Sequence, residues 1–309
     1  MKDLRIGLMA SDGAARPLEQ SLAEIRATEE AGFATAWVPN IFGFDALTLS
    51  ALAGSVTSRI EIGTAVVPTF SRHPFYMAQQ AATTQAALGG RFTLGLGPSH
   101  KVVIESMMGL SYDKPARHVR EYVTVVQQLL EKGQAAFEGE TYTVNGGMQA
   151  QCGAPPPVLI GALGPIMRKI AGSLCSGTIT WMTGPNTIEQ EVGPGVRAAA
   201  EAAGRPAPRI VAGIPVCVTD DADGAREKAA QIFALYGTLP SYRAMMDLEG
   251  VEGPAGIALV GDERTIEAGM RRFAEAGATD FNAAPFPHGD DSAASLARSQ
   301  DVLAGLARA

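Results

Sequence analysis

Short apolar runs alternate along the chain with longer segments in which apolar residues recur every three or four positions. Runs of the first kind are typical of strands buried on both faces, and segments of the second kind are typical of amphipathic helices. A helical segment follows each apolar run, which favours parallel strands joined by helices. Eight strands are predicted in this way: Leu4–Ala10, Thr35–Asn40, Ile60–Pro68, Phe92–Gly97, Val158–Leu163, Thr178–Thr183, Arg209–Thr219 and Asp280–Phe286.

Glycine and proline mark the ends of several predicted elements. The first helix ends at Gly32, which suits a left-handed cap. After the seventh strand, one long helical region is predicted over about Asp220–Glu249. Residues 136–157 break the alternation, because Asn145-Gly146 is typical of a hairpin turn and a proline run follows. We interpret 136–157 as an insertion after the fourth helix.

Eight strands in a chain of 309 residues fit a closed (β/α)8 barrel, the TIM barrel, better than an open sheet. No GxGxxG follows the first strand, and "GLGPSH" at 95–100 lacks the third glycine, so a Rossmann fold is disfavoured. The α/β chain is therefore predicted to be one barrel domain, residues 1–309. Active sites of such barrels lie at the carboxyl ends of the strands, so the residues there are the candidates.

The predicted strand ends are rich in small residues and poor in acids, bases and nucleophiles, which suggests that a bound cofactor carries the chemistry. Small side chains let a flat ring lie close to the backbone, although the taper of a barrel interior also requires small residues. The strand ends are Met9–Ser11, Pro39-Asn40, Ala65–Arg72, Gly97–Lys101, Gly161–Gly164, Thr180–Gly184, Cys217–Asp220 and Pro285–His288. The residues able to line such a ring are Gly63, Thr64, Ala65, Gly95 and Gly97.

Two loops between a strand and a helix resemble anion sites. In "GALGP", Gly161, Ala162, Leu163 and Gly164 precede a proline that suits the first helical turn. Free amides at such a helix start bind phosphate, and "TGPNT" repeats the arrangement one strand later. The two loops together would suit one phosphorylated tail; the alternative is that both are ordinary turns.

Composition narrows the class of protein. A net charge of −7 argues against a general nucleic-acid surface, and no apolar run is long enough to cross a membrane. The three cysteines are widely spaced and odd in number, so we expect reduced thiols in a cytoplasmic protein. No histidine and carboxylate have metal-ligand spacing, and no nucleophile motif is present.

Four segments, in order, carry a resemblance to a known family: "IGTAVVPTFSRHP", "GGRFTLGLGPSH", "PPPVLIGALGP" and "GTITWMTGP". The chain resembles the luciferase-like flavin and deazaflavin oxidoreductases, most closely the actinobacterial group that uses coenzyme F420. That resemblance implies a (β/α)8 barrel with an insertion, a homodimer, and coenzyme F420 as the cofactor, with flavin mononucleotide (FMN) as the alternative.

The resemblance also assigns roles to residues. In relatives, a non-prolyl cis peptide at the end of the third strand backs the deazaflavin ring, and here it would fall within Thr64–Val66. The phosphate loops would be Gly161–Gly164 and Thr183-Gly184. Asn40 stands where several deazaflavin enzymes bear Asp or His, and because it does not titrate, His100 and Ser99 are better candidates to orient or protonate the substrate. Arg72 is expected to contact the cofactor's anionic tail, since the net charge of −7 would otherwise repel it.

The leading hypothesis is hydride transfer between coenzyme F420 and a small organic substrate. The alternatives are an FMN-dependent monooxygenase and a non-catalytic relative that binds a flavin or a fatty ligand. Trp37 and Trp181 lie near predicted strand ends, where each either shapes the pocket or belongs to the core. The substrate itself depends on the loops Lys101–Pro115 and Gly237–Glu249, whose conformation the sequence does not predict.

Overall fold

The computed structural model describes residues 4–10, 16–150 and 152–309, so the strand-end candidate Ser11 lies outside the described residues. The predicted barrel is confirmed: eight parallel strands close in the order β1-β2-β3-β5-β8-β9-β10-β12, and β12 pairs again with β1. β4 continues β3 alongside β5, and β11 adds to the edge of β10. The strands are β1 (Arg5–Met9), β2 (Thr35–Val38), β3 (Glu61–Thr64), β4 (Val67–Pro68), β5 (Phe92–Gly97), β6 (Gln134–Glu138), β7 (Thr143–Gly147), β8 (Val158–Ile160), β9 (Gly177–Trp181), β10 (Arg209–Val218), β11 (Leu259–Gly261) and β12 (Asp280–Pro285).

Helices surround the barrel, and their ends follow the glycine and proline signals. Gly32 has φ +90°, as the predicted left-handed cap requires, and Pro165 occupies the first turn of its helix. The α-helices are α1 (Leu18–Glu30), α2 (Ala46–Ala53), α3 (Pro74–Ala87), α4 (Pro115–Lys132), α5 (Pro165–Leu174), α6 (Pro185–Thr187), α7 (Gly193–Ala202), α8 (Ala222–Ile232), α9 (Ala234–Thr238), α10 (Pro240–Glu249), α11 (Glu263–Glu275) and α12 (Ser292–Arg308). π-helical turns span Val102–Met107 and Ile188–Val192, and a 3₁₀ turn spans Pro254–Gly256.

The predicted helical region over about Asp220–Glu249 is confirmed, although it is divided into separate helices. The chain forms three helices there, α8, α9 and α10. Leu239 is extended, with φ −84° and ψ 123°, because the residue before a proline is sterically excluded from the helical region. Pro240 then begins α10, so the helical region is interrupted at Leu239.

The insertion contains a hairpin, but the predicted turn at Asn145-Gly146 is wrong. Strands β6 and β7 pair antiparallel, and Asn145 lies inside β7 opposite Ala136. The turn lies at 139–142 instead. Its amides are held by the Glu121 carboxylate of α4, which accepts hydrogen bonds from the backbone N of Glu140 (3.1 Å), Thr141 (2.8 Å) and Tyr142 (3.1 Å). This tertiary contact overrides the local turn preference of Asn-Gly.

The barrel interior is charged at its amino end and apolar above. Arg209 pairs with Asp280 (2.6 Å) and Glu61 (2.9 Å), and Arg5 also pairs with Glu61 (2.8 Å). The Arg209 guanidinium lies 5.8 Å from the ring centroid of Trp37, which is fully buried. Trp37 therefore belongs to the core and does not shape the pocket.

Two further observations bear on the class of protein. No helix among the described residues is both long enough and apolar enough to span a bilayer. In the same described ranges, no group of three or more His, Cys, Asp or Glu side chains is arranged to hold a metal ion. The free thiols of Cys175 and Cys217 are buried, and burial raises the pKa of Cys175 to about 12.

Candidate active site

The end of the third barrel strand forms a bulge at Thr64–Val66. β3 pairs Gly63 with Thr93, whereas β4 pairs Val67 with Leu96, so three residues face two on β5. The Thr64 hydroxyl replaces the missing ladder contacts: it accepts from Gly95 N (2.8 Å) and donates to Gly95 O (2.9 Å). The Ala65-Val66 peptide is cis, which confirms the position implied by the resemblance.

Ala65 and Val66 form an apolar floor at the carboxyl end of the barrel. Both are half-buried. They pack on a buried layer of side chains in the barrel interior, which consists of Trp37, Leu159, Ile179 and Val211. We call Ala65 and Val66 the floor. An uncharged, apolar surface of this kind suits the face of an aromatic ring.

Gly95 and Gly97 are buried, and they make room for the bulge. A Cβ at Gly95 would overlap the carbonyl oxygen of Thr64 and lie 3.4 Å from Val66 Cγ1. A Cβ at Gly97 would lie 2.6 Å from Val66 Cγ2. The two glycines therefore support the floor from behind. Direct contact between either glycine and a cofactor stays a prediction.

The start of α5 is open. Gly164 is its N-cap, no side chain caps it, and a Cβ built on Gly164 would meet no atom within 4 Å. Because Pro165 has no N–H, the next two amides, of Ile166 and Met167, are the ones available to an anion. Upstream in the same loop, Gly161 N is bonded to Leu96 O (2.8 Å) and Ala162 is buried, while Leu163 is half-buried.

The neighbouring loop after β9 is closed, unlike the loop after β8. Thr183 and Gly184 are both buried, and the Thr183 hydroxyl is bonded to Trp181 O (3.2 Å). The next amides are already paired with a carboxylate, since Glu249 accepts from Asn186 N (3.1 Å) and Thr187 N (2.8 Å). The predicted pair of open phosphate loops is thus reduced to one, and a role of Thr183 and Gly184 in cofactor binding stays a prediction.

His100 lies on the loop after β5, against an aromatic wall. Its ring centroid is 5.7 Å from that of Tyr242 and 6.4 Å from that of Tyr236, both edge-on. Burial lowers the pKa of His100 below its usual value near 6.5, so the imidazole is neutral at pH 7. Alone among the four histidines, all of which lie in the described ranges, His100 makes no side-chain hydrogen bond there, so both ring nitrogens are available to a ligand.

A family model described as luciferase-like monooxygenase matches residues 5–280 of the chain. The chain belongs to the luciferase-like monooxygenase family.

Curated relatives and a solved structure agree with this assignment. This luciferase-like chain is 28% identical to the 5,10-methylenetetrahydromethanopterin reductase of Methanopyrus kandleri, over 74% of the chain and 70% of the relative. It is 30% identical to the F420-dependent glucose-6-phosphate dehydrogenase of Nakamurella multipartita, over 71% of the chain and 65% of the relative. The structure of an F420-dependent secondary alcohol dehydrogenase in complex with an F420–acetone adduct matches with a TM-score of 0.82 at 20% identity, covering 98% of both chains; this likeness concerns the fold.

In this luciferase-like protein, Asn40 and Arg72 both have structural partners. Asn40 Oδ1 accepts from Ala46 N (3.0 Å) and so closes the loop that leads into α2. Arg72 forms an ion pair with Asp45, the N-cap of α2, and donates to Gln80 Oε1 (3.1 Å). The charge of Arg72 is therefore already balanced, and its contact with an anionic tail stays a prediction.

Sequence reasoning missed an aromatic and histidine cluster behind the loop after β4. Phe70 stacks on His118 of α4 at a centroid distance of 3.7 Å, and His118 Nε2 lies 3.0 Å from the Thr69 hydroxyl. Phe70 also stacks on Tyr112 (5.1 Å), whose hydroxyl donates to Ser99 O (3.0 Å). This cluster links the loops after β4 and β5, and it fixes the backbone of Ser99, which has φ +60°.

The Ser99 side chain makes no hydrogen bond to the described residues, so its predicted role toward substrate stays open. Trp181 is half-buried, packs against the hydrophobic core and contacts Tyr236 edge-on at 6.0 Å, so it joins the aromatic wall to the core. The wall thus consists of Trp181, Tyr236 and Tyr242, with His100 against it. None of these aromatic contacts leaves a period or motif in the sequence.

Proposed function

We propose that this luciferase-like chain is a coenzyme F420-dependent oxidoreductase that transfers hydride between the deazaflavin and a small organic substrate. The observation that carries the proposal is the apolar floor of Ala65 and Val66, on the same barrel face as the open start of α5. The relatives reported above carry the name of this cofactor or of reductases, and they support the choice of F420. The substrates in their names differ in class, so none of them is transferred to this chain.

The residues present fit such a cofactor. Ala65 and Val66 would back its ring system, and the free amides at the start of α5 would hold its phosphate. When bound, the deazaflavin supplies a carbon that carries hydride and reacts little with oxygen. The chain itself positions the cofactor and the substrate and keeps water away from them. The floor contains no acid or base that would compete for protons.

His100 is the residue we assign to the substrate. As a neutral imidazole it can donate a hydrogen bond to a carbonyl or hydroxyl oxygen from one ring nitrogen and accept at the other. The half-buried aromatic wall beside it bears no charge, because burial raises the pKa values of Tyr236 and Tyr242. A small, uncharged carbonyl or alcohol suits these surroundings better than a charged one.

An FMN-dependent monooxygenase is the second candidate, and the description of the matched family favours it. The same floor and the same helix start would accept FMN. The two cofactors differ beyond the phosphate, where F420 bears a glutamate tail.

A fluorescence titration separates the candidates. We expect the protein to bind oxidised F420 at micromolar affinity or better and FMN at least about ten times more weakly, a difference of about 1.4 kcal/mol. Tighter binding of FMN would overturn the proposal in favour of a monooxygenase. Binding of either cofactor without turnover across a panel of ketones, alcohols and enones would favour the non-catalytic alternative.

A further inference from the structure

Helix α10 crosses the carboxyl end of the barrel, and each of its ends contacts a different site loop. Near its start, Tyr242 packs against His100 on the loop after β5. At its last residue, Glu249 is bonded to α6, the short helix that ends the loop after β9. Seven residues separate the two side chains, so they lie about 10 Å apart on one face of the helix. Met245 and Met246 lie between them on that face, and both are buried.

The Glu249 carboxylate is fully engaged. Oε1 accepts from Asn186 N (3.1 Å), and Oε2 accepts from Thr187 N (2.8 Å) and from the Thr187 hydroxyl (2.8 Å). Both amides lie in the first turn after Pro185, where backbone N–H groups have no helical acceptor. Gly184 leaves the necessary space, since a Cβ there would lie 2.5 Å from Oε1 and overlap Cδ.

The placement of Glu249 is unfavourable for its own helix. A carboxylate in the last turn of α10 faces the negative end of the helix dipole, and that turn holds no basic residue. The same carboxylate is favourable at the start of the helix that begins at Pro185. The contact therefore acts between α10 and the loop after β9, and it does not serve α10 alone.

At the other end of α10, the surroundings of His100 are uncharged except at one edge. The titratable neighbours are the protonated phenols of Tyr236 and Tyr242, together with Tyr112, which is bonded to the preceding residue, Ser99. The next residue, Lys101, is exposed and pairs with Glu105 (3.7 Å). The two rings that contact the imidazole, Tyr242 of α10 and Tyr236 of α9, also contact each other at a centroid distance of 5.0 Å, so a displacement of α10 would change how both rings cover His100.

We propose that Glu249 is a positioning residue for His100: by fastening the end of α10 to the loop after β9, it holds Tyr242 and Tyr236 against the imidazole and keeps water from it. The inference depends on the proposed function only where His100 acts on a substrate. If the Glu249 contact is lost, α10 moves away and the imidazole becomes hydrated. The pKa of His100 then rises toward its ordinary value near 6.5, because desolvation is what lowers it.

The test uses the cofactor-free protein and its four histidines. Proton NMR titrations of the wild type, Glu249→Gln and Glu249→Ala follow the imidazole resonances, and the resonance missing in His100→Gln identifies His100. We expect the His100 midpoint to rise above that of the wild type in Glu249→Ala, and to rise less in Glu249→Gln. Glu252→Gln, which removes an exposed carboxylate from the loop after α10, should leave the midpoint unchanged.

Acrylamide quenching provides a second readout. The protein has two tryptophans, and Trp37 is fully buried, so a change in quenching reports on Trp181, which contacts Tyr236. Quenching should increase in Glu249→Ala and stay unchanged in Glu252→Gln. If both Glu249 variants lower the melting temperature while the His100 midpoint and the quenching stay as in the wild type, Glu249 is only a helix cap and the inference is overturned. Should Glu249→Ala fail to fold, Glu249→Gln decides the question. Neither readout requires cofactor binding, so a failure of the proposed function leaves this test intact.

Discussion

Gly95→Ala tests whether the bulge at Thr64–Val66 determines the shape of the floor. The added Cβ would overlap the Thr64 carbonyl oxygen and lie 3.0 Å from the Thr64 carbonyl carbon. Both are backbone atoms, so no side-chain rotation relieves the clash and the bulge must shift. Overpacking a buried position costs about 1–3 kcal/mol, and the shifted floor should weaken binding of F420 by about tenfold or more.

Urea unfolding and cofactor titration measure the two effects in the same preparation. Gly305→Ala is the matched control, because Gly305 lies exposed inside α12 and a Cβ there would meet no atom within 4 Å. That change should instead raise the free energy of unfolding by about 0.5–1 kcal/mol. Wild-type stability together with wild-type affinity in Gly95→Ala would refute the claim that this glycine makes room for the floor.

Three further predictions follow from individual contacts. Gly164→Asp should weaken F420 binding at least about tenfold through like-charge repulsion, while binding of the phosphate-free deazaflavin stays unchanged. Gly164→Asn supplies the same helix cap without the charge, so an equal loss of F420 affinity in both variants would exclude a phosphate at the start of α5. Arg72→Ala removes the ion pair with Asp45 and should lower the free energy of unfolding by about 1 kcal/mol or less. The variant should bind F420 more weakly than the wild type does, but bind the tail-less deazaflavin equally well, and added salt should reduce the difference in F420 affinity; a difference that is the same at every ionic strength would exclude a tail contact. Burial lowers the pKa of His118 to about 4, so between pH 6.5 and 4 the unfolded chain binds a proton at His118 that the folded chain does not. The free energy of unfolding should therefore fall by at most about 3 kcal/mol as the pH is lowered through that window, and a His118→Gln variant with the same pH dependence as the wild type would contradict this.

The strands and their ends are predictable because periodicity is a local property of the sequence. Eight apolar runs predict eight barrel strands, and parallel strands place all their carboxyl ends on one face. The glycines at 95 and 97 are also visible in the sequence, but their role is not. That they line a ring stays a prediction; what the structure adds is that they accommodate Thr64 and Val66 from the neighbouring strand. Only the three-against-two register of the bulge reveals this.

The loops were less predictable because their partners are distant along the chain. The amides after Gly184 looked free in the sequence, yet the carboxylate of Glu249, 63 residues beyond Asn186, occupies them. One signal was available: a glutamate just before Gly250, at the end of a helix, opposes the helix dipole and implies a partner elsewhere. The aromatic wall carries no such signal, since Tyr236 and Tyr242 follow no motif and lie in a region predicted only as helical.

Amide hydrogen exchange with and without F420 decides whether the floor is an F420 site, because it reports both which ligand binds and where it binds. The account predicts slower exchange on F420 addition in the bulge at Thr64–Val66 and at the start of α5, with much weaker protection by FMN at the same concentration. The amino end of the barrel, around Arg91 and Thr93, should not respond. Equal protection by FMN, or protection confined to the amino end, would contradict an F420 site on the floor of Ala65 and Val66.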